Sequence, residues 1–190
     1  MERILIIDNY DSFTYNLVQI VEQNFTGQID VFRNDEISVE EAGEYDGIIL
    51  SPGPGIPDEA GNLKSIIAQH APKKKILGVC LGLQAIAEVF GGKLINLEEV
   101  FHGVKTKMSV LKQNDILFKN IPLEFEAGRY HSWVVDTQRI PDCLEITCVD
   151  EQHQVMAMRH KSFPVYGVQF HPESVMTKYG KQMIINFLEQ

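Results

Sequence analysis

Cys80 lies at the centre of Gly78-Val79-Cys80-Leu81-Gly82, between the apolar run Lys75-Ile76-Leu77 and the helix-like stretch Leu83 to Phe90. A strand that reverses sharply into a helix holds its central residue on a strained backbone, so the residues two before and two after it must be small. Both are glycine. The thiol would then stand at a helix N-terminus, where unpaired N–H groups and the helix dipole favour a thiolate. Taken alone, the same residues also suit a small buried cysteine packed by glycines at a helix start.

A base for such a thiol is available near the C-terminus. Tyr166-Gly167-Val168-Gln169-Phe170 alternates like a strand and runs into His171-Pro172-Glu173, where the proline removes a ladder donor. In an extended chain, residues two apart project from the same edge, which would bring the His171 and Glu173 side chains together. An imidazole that takes a proton from a thiol needs a carboxylate to hold its tautomer and stabilise its cation. The third element is Ser51-Pro52-Gly53-Pro54-Gly55-Ile56-Pro57, which follows the apolar run Gly47 to Leu50. Its prolines make it stiff, and rigid backbone N–H groups are what an oxyanion needs. A plain strand-to-helix turn would use the same residue types.

The elements that must position these groups alternate along the first half of the chain. Arg3 to Ile7, Ile29 to Phe32, Gly47 to Leu50 and Lys75 to Val79 read as strands; Thr14 to Asn24 and Asn62 to His70 read as helices. That alternation predicts an α/β fold with a mostly parallel, doubly wound sheet whose site lies at the carboxyl ends of its strands. From Val104 the pattern changes to short β segments, Val104 to Leu111, Trp133 to Thr137, Leu144 to Cys148, Val155 to Arg159 and Val165 to Gln169, closed by a helix from Thr177 to Leu188. A smaller antiparallel extension would carry His171 back toward the sheet.

The 190 residues, 44% hydrophobic and 23% charged, suit one domain over 1–190 with a substantial core. A net charge of −9 argues against nucleic acid as a partner, and Lys73-Lys74-Lys75 is too short a basic run to offset it. No stretch approaches the ~20 apolar residues of a membrane span, and Met1-Glu2-Arg3 leads straight into a strand without a signal-peptide pattern. A cytoplasmic protein with no membrane partner is expected. Cysteines at 80, 143 and 148 cannot all pair and match no zinc framework, so no metal site is expected.

Other residues invite a function and have simpler explanations. His131, in a loop before a strand, reads more readily as structural than as a second base. Asp8 to Ser12 fits a turn and helix cap. Gly91-Gly92-Lys93 lacks the glycine spacing and the hydroxyl residue of a phosphate loop.

With Gln84 one turn after Cys80 and Arg129-Tyr130-His131-Ser132 ahead of a strand, the chain resembles the class I (triad) glutamine amidotransferases, a fold related to flavodoxin. The resemblance runs over the whole chain. The opening Ile6-Ile7-Asp8-Asn9-Tyr10-Asp11-Ser12-Phe13-Thr14-Tyr15-Asn16 is similar to glutaminase subunits of synthases that make anthranilate or 4-amino-4-deoxychorismate. The resemblance implies that Cys80 attacks the side-chain amide of glutamine, with His171 as base and Glu173 as its orienting carboxylate. It implies an oxyanion hole from the N–H groups of Leu81 and Gly55, and substrate contacts from Gly53, Pro54, Gly55, Gln84 and the main chain at Ser132 and Trp133. Pro54 has no N–H to donate. Trp133 stands where related chains often carry leucine, and His102-Gly103 looks like a family motif near a partner surface. A chorismate-using synthase partner is implied, with Mg²⁺ belonging to that partner and no cofactor in this chain. A stand-alone γ-glutamyl hydrolase, the glutaminase of another complex, and a non-catalytic scaffold are the competing readings.

Overall fold

The computed structural model describes residues 1–190. Eleven strands run in the order β1 (Arg3–Asp8), β2 (Gln28–Arg33), β3 (Gly47–Leu50), β4 (Lys75–Val79), β5 (Leu94–Asn96), β6 (Val104–Val110), β7 (Glu124–Arg129), β8 (Trp133–Val135), β9 (Leu144–Asp150), β10 (Val155–His160) and β11 (Val165–Val168). Five helices accompany them: α1 (Thr14–Asn24), α2 (Val39–Ala42), α3 (Leu63–His70), α4 (Leu81–Val89) and α5 (Gly180–Leu188).

Nine strands form one sheet in the order β2-β1-β3-β4-β11-β10-β9-β6-β7. The first five are parallel to one another, the doubly wound order in which a ligand crevice opens at the carboxyl edge. The last four are antiparallel. The expected antiparallel extension is therefore continuous with the parallel sheet, and β5 pairs with β8 in a separate small sheet.

Alternation along the parallel strands divides the core, because successive side chains point to opposite faces. Ile4 and Ile6 pack with Leu17, Val21, Ile184 and Phe187 of α1 and α5 on one face. Leu5 and Ile7 pack with Ile66, Ile67 and Ile86 of α3 and α4 on the other. Strands buried on both sides read as continuous apolar runs for this reason.

Three expectations need correction. β5 and β7 are strands that the pattern does not announce, since Leu94–Asn96 is too short to show a period and Glu124–Arg129 carries two glutamates and a glycine, residues depleted in strands. The closing helix starts at Gly180 rather than Thr177, because Thr177 is engaged elsewhere: its Oγ1 accepts from Gly128 N at 3.0 Å and donates to the His171 carbonyl at 2.7 Å. The ladder of β11 ends at Val168, so His171, Pro172 and Glu173 lie in a following turn and not in extended chain.

Candidate active site

Cys80 sits between β4 and α4 with φ +51° and ψ −101°, the strained elbow that its glycines imply. A Cβ on Gly78 would lie 2.5 Å from the Gly82 backbone carbon, and one on Gly82 would lie 2.8 Å from Leu50. The two glycines thus let the helix start against the strand it has just left. Strand β11 lies beside β4, and Cys80 N donates to Val168 O at 2.8 Å. Parallel pairing thereby delivers the residues after Val168 to the elbow.

The His-Pro-Glu turn is anchored through its backbone. His171 N donates to Gly128 O at 3.0 Å and Ser174 N to His171 O at 3.2 Å. The imidazole leans on Phe13 and Tyr130, with ring centroids 5.2 and 4.8 Å away. His171 Nδ1 pairs with Glu173 Oε1 at 2.7 Å, both side chains being buried. Nε2 is buried without a hydrogen-bond partner of its own and lies toward the Cys80 thiol. Burial disfavours the imidazolium, but the Cys80 sulfur and the Glu173 carboxylate outweigh it and raise the His171 pKa to about 10. The environment thus favours the imidazolium at His171.

The loop after β3 is held by a buried polar cluster at the strand ends. Ser51 Oγ accepts from Asn9 N at 2.9 Å, Asn9 Nδ2 donates to Ser51 O at 2.8 Å, and Asn34 Nδ2 donates to Asn9 Oδ1 at 3.0 Å. Gly53 is wedged so tightly that a Cβ would lie 2.6 Å from both Asn9 and Leu81. Its lack of a side chain seats the loop on the first residue of α4, whose N–H has no intrahelical acceptor.

A cavity of about 180 Å³ opens over Cys80, lined by Gly53, Pro54, Gly55, Gln84, Ser132 and Trp133 together with Val100, Phe101, His102, Tyr130 and His131. Every residue expected to contact a substrate is there. Leu81, His171 and Glu173 are not among the lining residues. Gln84 is more constrained than expected, because its Nε2 donates to Trp133 O at 2.9 Å and to Gln169 Oε1 at 3.3 Å. Both amide hydrogens are spent, so only its oxygen can serve a ligand.

His131 lines the cavity with both ring nitrogens engaged by the framework. Arg129 Nε donates to its Nε2 at 3.0 Å, which leaves the proton on Nδ1 to face Trp133 O at 3.1 Å. Burial first, and the Arg129 charge second, lower its pKa to about 3. Arg129 has a role that the Arg129-Tyr130-His131-Ser132 motif does not announce. It is buried, pairs through Nη1 with Asp150 at 2.6 Å, donates through Nη2 to Gln154 at 2.7 Å, and stacks 3.6 Å from the Phe101 centroid. The Arg129, His131 and Ser132 carbonyls accept from Gly103, Phe101 and Leu97 N at 3.0, 3.0 and 2.7 Å, which fastens the segment carrying Val100 to His102 over the cavity. A buried arginine looks like a surface residue in sequence; a cation between β strands whose partner comes 21 residues later has no local signal.

Asp8 to Ser12 form a turn, with Asp8 Oδ1 accepting from Tyr10 N and Thr14 Oγ1 at 2.9 Å each. All three cysteines are free, and burial pushes the Cys148 thiol pKa upward.

A thiol on an elbow, with an imidazole–carboxylate pair beside it and a cavity opening over it, suits acyl transfer from an amide through a thioester. The chain belongs to the class I glutamine amidotransferases, whose family model matches residues 5–190. It is 45% identical over 188 residues to the aminodeoxychorismate/anthranilate synthase component 2 of Bacillus subtilis, covering 98% of this chain and 95% of the relative. It is 44% identical over 195 residues to the anthranilate synthase component 2 of Pseudomonas aeruginosa, again covering 98% and 95%. A solved Thermoplasma acidophilum structure, described as that of a GMP synthase subunit, superposes with a TM-score of 0.88 at 30% identity, covering 100% of this chain and 93% of its own. No helix of the structure is long and apolar enough to cross a membrane.

Proposed function

We propose that this chain, read as one glutaminase domain over 1–190, hydrolyses glutamine and hands the ammonia to a chorismate-using synthase. The observation that carries the chemistry is the Cys80, His171 and Glu173 constellation under a cavity of amino-acid size. The choice of partner is supported by the component 2 relatives, each similar over nearly its whole length.

In this mechanism the Cys80 thiolate attacks the glutamine side-chain carbonyl carbon, and the negative charge moves to oxygen, where the N–H groups of Leu81 and Gly55 receive it. His171, oriented by Glu173, gives its proton to the departing nitrogen, and ammonia leaves behind a thioester. Water then attacks the thioester, His171 takes its proton, and glutamate is released. The oxygen of Gln84 and the backbone at Ser132 and Trp133 hold the amino-acid end of the substrate. Nothing in these steps calls for a metal, and Mg²⁺ belongs to the synthase. The three free cysteines suit the reducing cytoplasm.

The test mixes this chain with an anthranilate-type and with an aminodeoxychorismate-type synthase partner, each supplied with chorismate and glutamine. Product should form in at least one mixture. Cys80→Ser should abolish glutamine-dependent product and leave ammonium-dependent synthesis intact; loss of both would overturn the division of labour.

A further inference from the structure

Gln169 is fully buried, one residue past the end of β11, and nothing in the mechanism above uses it. Its Nε2 lies 3.4 Å from Cys80 Sγ, and its Oε1 lies 3.3 Å from Gln84 Nε2. Gln84 Nε2 in turn lies 2.9 Å from Trp133 O. The orientation of both amides follows from the end of this chain. A backbone carbonyl can only accept, so the Gln84 atom facing it must be the nitrogen; that nitrogen then requires an acceptor from Gln169, which must present its oxygen. The remaining end of Gln169, a donor, is left pointing at sulfur. A donor is matched far better by a thiolate than by a neutral thiol, whose sulfur accepts only weakly.

We infer that Gln169 is a further catalytic residue, whose side-chain amide stabilises the Cys80 sulfur as an anion and is aimed there by Gln84 and the Trp133 carbonyl. The inference rests on the glutaminase mechanism for its consequence, and its contact with sulfur stands apart from it. The amide matters most where the anion returns. When water adds to the thioester carbon, the C–S bond breaks, its electron pair goes to sulfur, and the proton of water goes to His171. Gln169 donates its hydrogen bond to the charged sulfur at that point. The same chain joins the sulfur to the main chain that grips the substrate, so a shift of Trp133 would be felt at the nucleophile.

The test follows alkylation of Cys80 by iodoacetamide from pH 5 to 10 in the full chain, with the modified peptide identified by mass spectrometry, in the wild type, Gln169→Leu and Gln169→Glu. Losing one hydrogen bond to a charged sulfur should slow alkylation of Gln169→Leu about tenfold at pH 7 and move its profile to higher pH. Gln169→Glu keeps the shape of the side chain and places an anion at the sulfur, so its profile should move further the same way. If Gln169→Leu does not fold, the Gln169→Glu profile decides. A wild-type profile in folded variants would overturn the inference. Alkylation needs neither glutamine nor a synthase, so this outcome is separate from whether the chain serves a chorismate-using partner.

Discussion

Glu173 Oε1 stands 2.7 Å from His171 Nδ1 across a single proline, with both side chains out of contact with water. Because the pair is held in a turn whose backbone is bonded to Gly128 and Thr177, its geometry is fixed before any substrate arrives. Replacing the carboxylate by an amide keeps the shape and removes the charge that stabilises the imidazolium. Glu173→Gln should lower glutamine-dependent kcat by ~10⁴-fold with little change in KM, as loss of an orienting carboxylate does in triads generally. Steady-state glutamate release in the presence of the partner measures this, and an unchanged kcat would remove Glu173 from the mechanism.

The elbow should be intolerant of a single methyl group. Gly78 has no room for a Cβ, which would press on the Gly82 backbone at 2.5 Å, where neither a strand nor a helix start can yield cheaply. Gly78→Ala should destabilise the fold by about 1–3 kcal/mol or more through overpacking, read as a lower denaturant midpoint, and should slow turnover in whatever fraction remains folded.

Arg129 closes a buried network rather than a surface pair. Removing its charge leaves the Asp150 Oδ2 without its partner and the Phe101 ring without its stacking cation. Arg129→Met should cost about 3–5 kcal/mol, the penalty for stranding one half of a buried ion pair. Equilibrium unfolding measures it, and glutamine KM should rise as the segment from Leu97 to Gly103 loosens.

His131 predicts how stability responds to acid. Its folded pKa is depressed to about 3 while its ordinary value is 6.5, so between those values the unfolded chain takes up a proton that the folded chain refuses. Stability should therefore rise with pH across that window and fall on acidification, by on the order of a few kcal/mol in total from this group. Denaturant midpoints between pH 7 and pH 4 should drop less steeply in His131→Gln than in the wild type; parallel curves would assign the acid sensitivity elsewhere.

Most strands and helices of the first half were legible because both signals are local: runs such as Gly47 to Leu50 are short and apolar, and α1 begins and ends where its residues imply, whereas the one-turn α2 is too short to show a period. The second half was legible only in part. β7 becomes a strand because β6 supplies a full ladder of partners from Val104 to Ser109, and that pairing overrides a composition that also suits a helix. The extra turn before α5 follows from Thr177 being bonded to the His171 carbonyl, a contact no periodicity reveals.

The sequence by itself marked Cys80 as the candidate nucleophile, because a glycine-flanked cysteine at a strand-to-helix junction suits a strained elbow, and His171 with Glu173 as the candidate base and carboxylate, because they are neighbours in the chain. Only the tertiary structure decided what surrounds them. Cys80 and Gln169 are 89 residues apart, Arg129 and Asp150 are 21 apart, and Phe101 meets His131 through backbone bonds in a stretch without pattern. Amides and arginines carry no mark in sequence of being buried; they become so when a parallel strand pairing sets β11 against β4 and an antiparallel one sets β6 between β7 and β9. Once water is excluded there, each polar group must find its partner within the fold, and that requirement aims them at the sulfur and around the cavity.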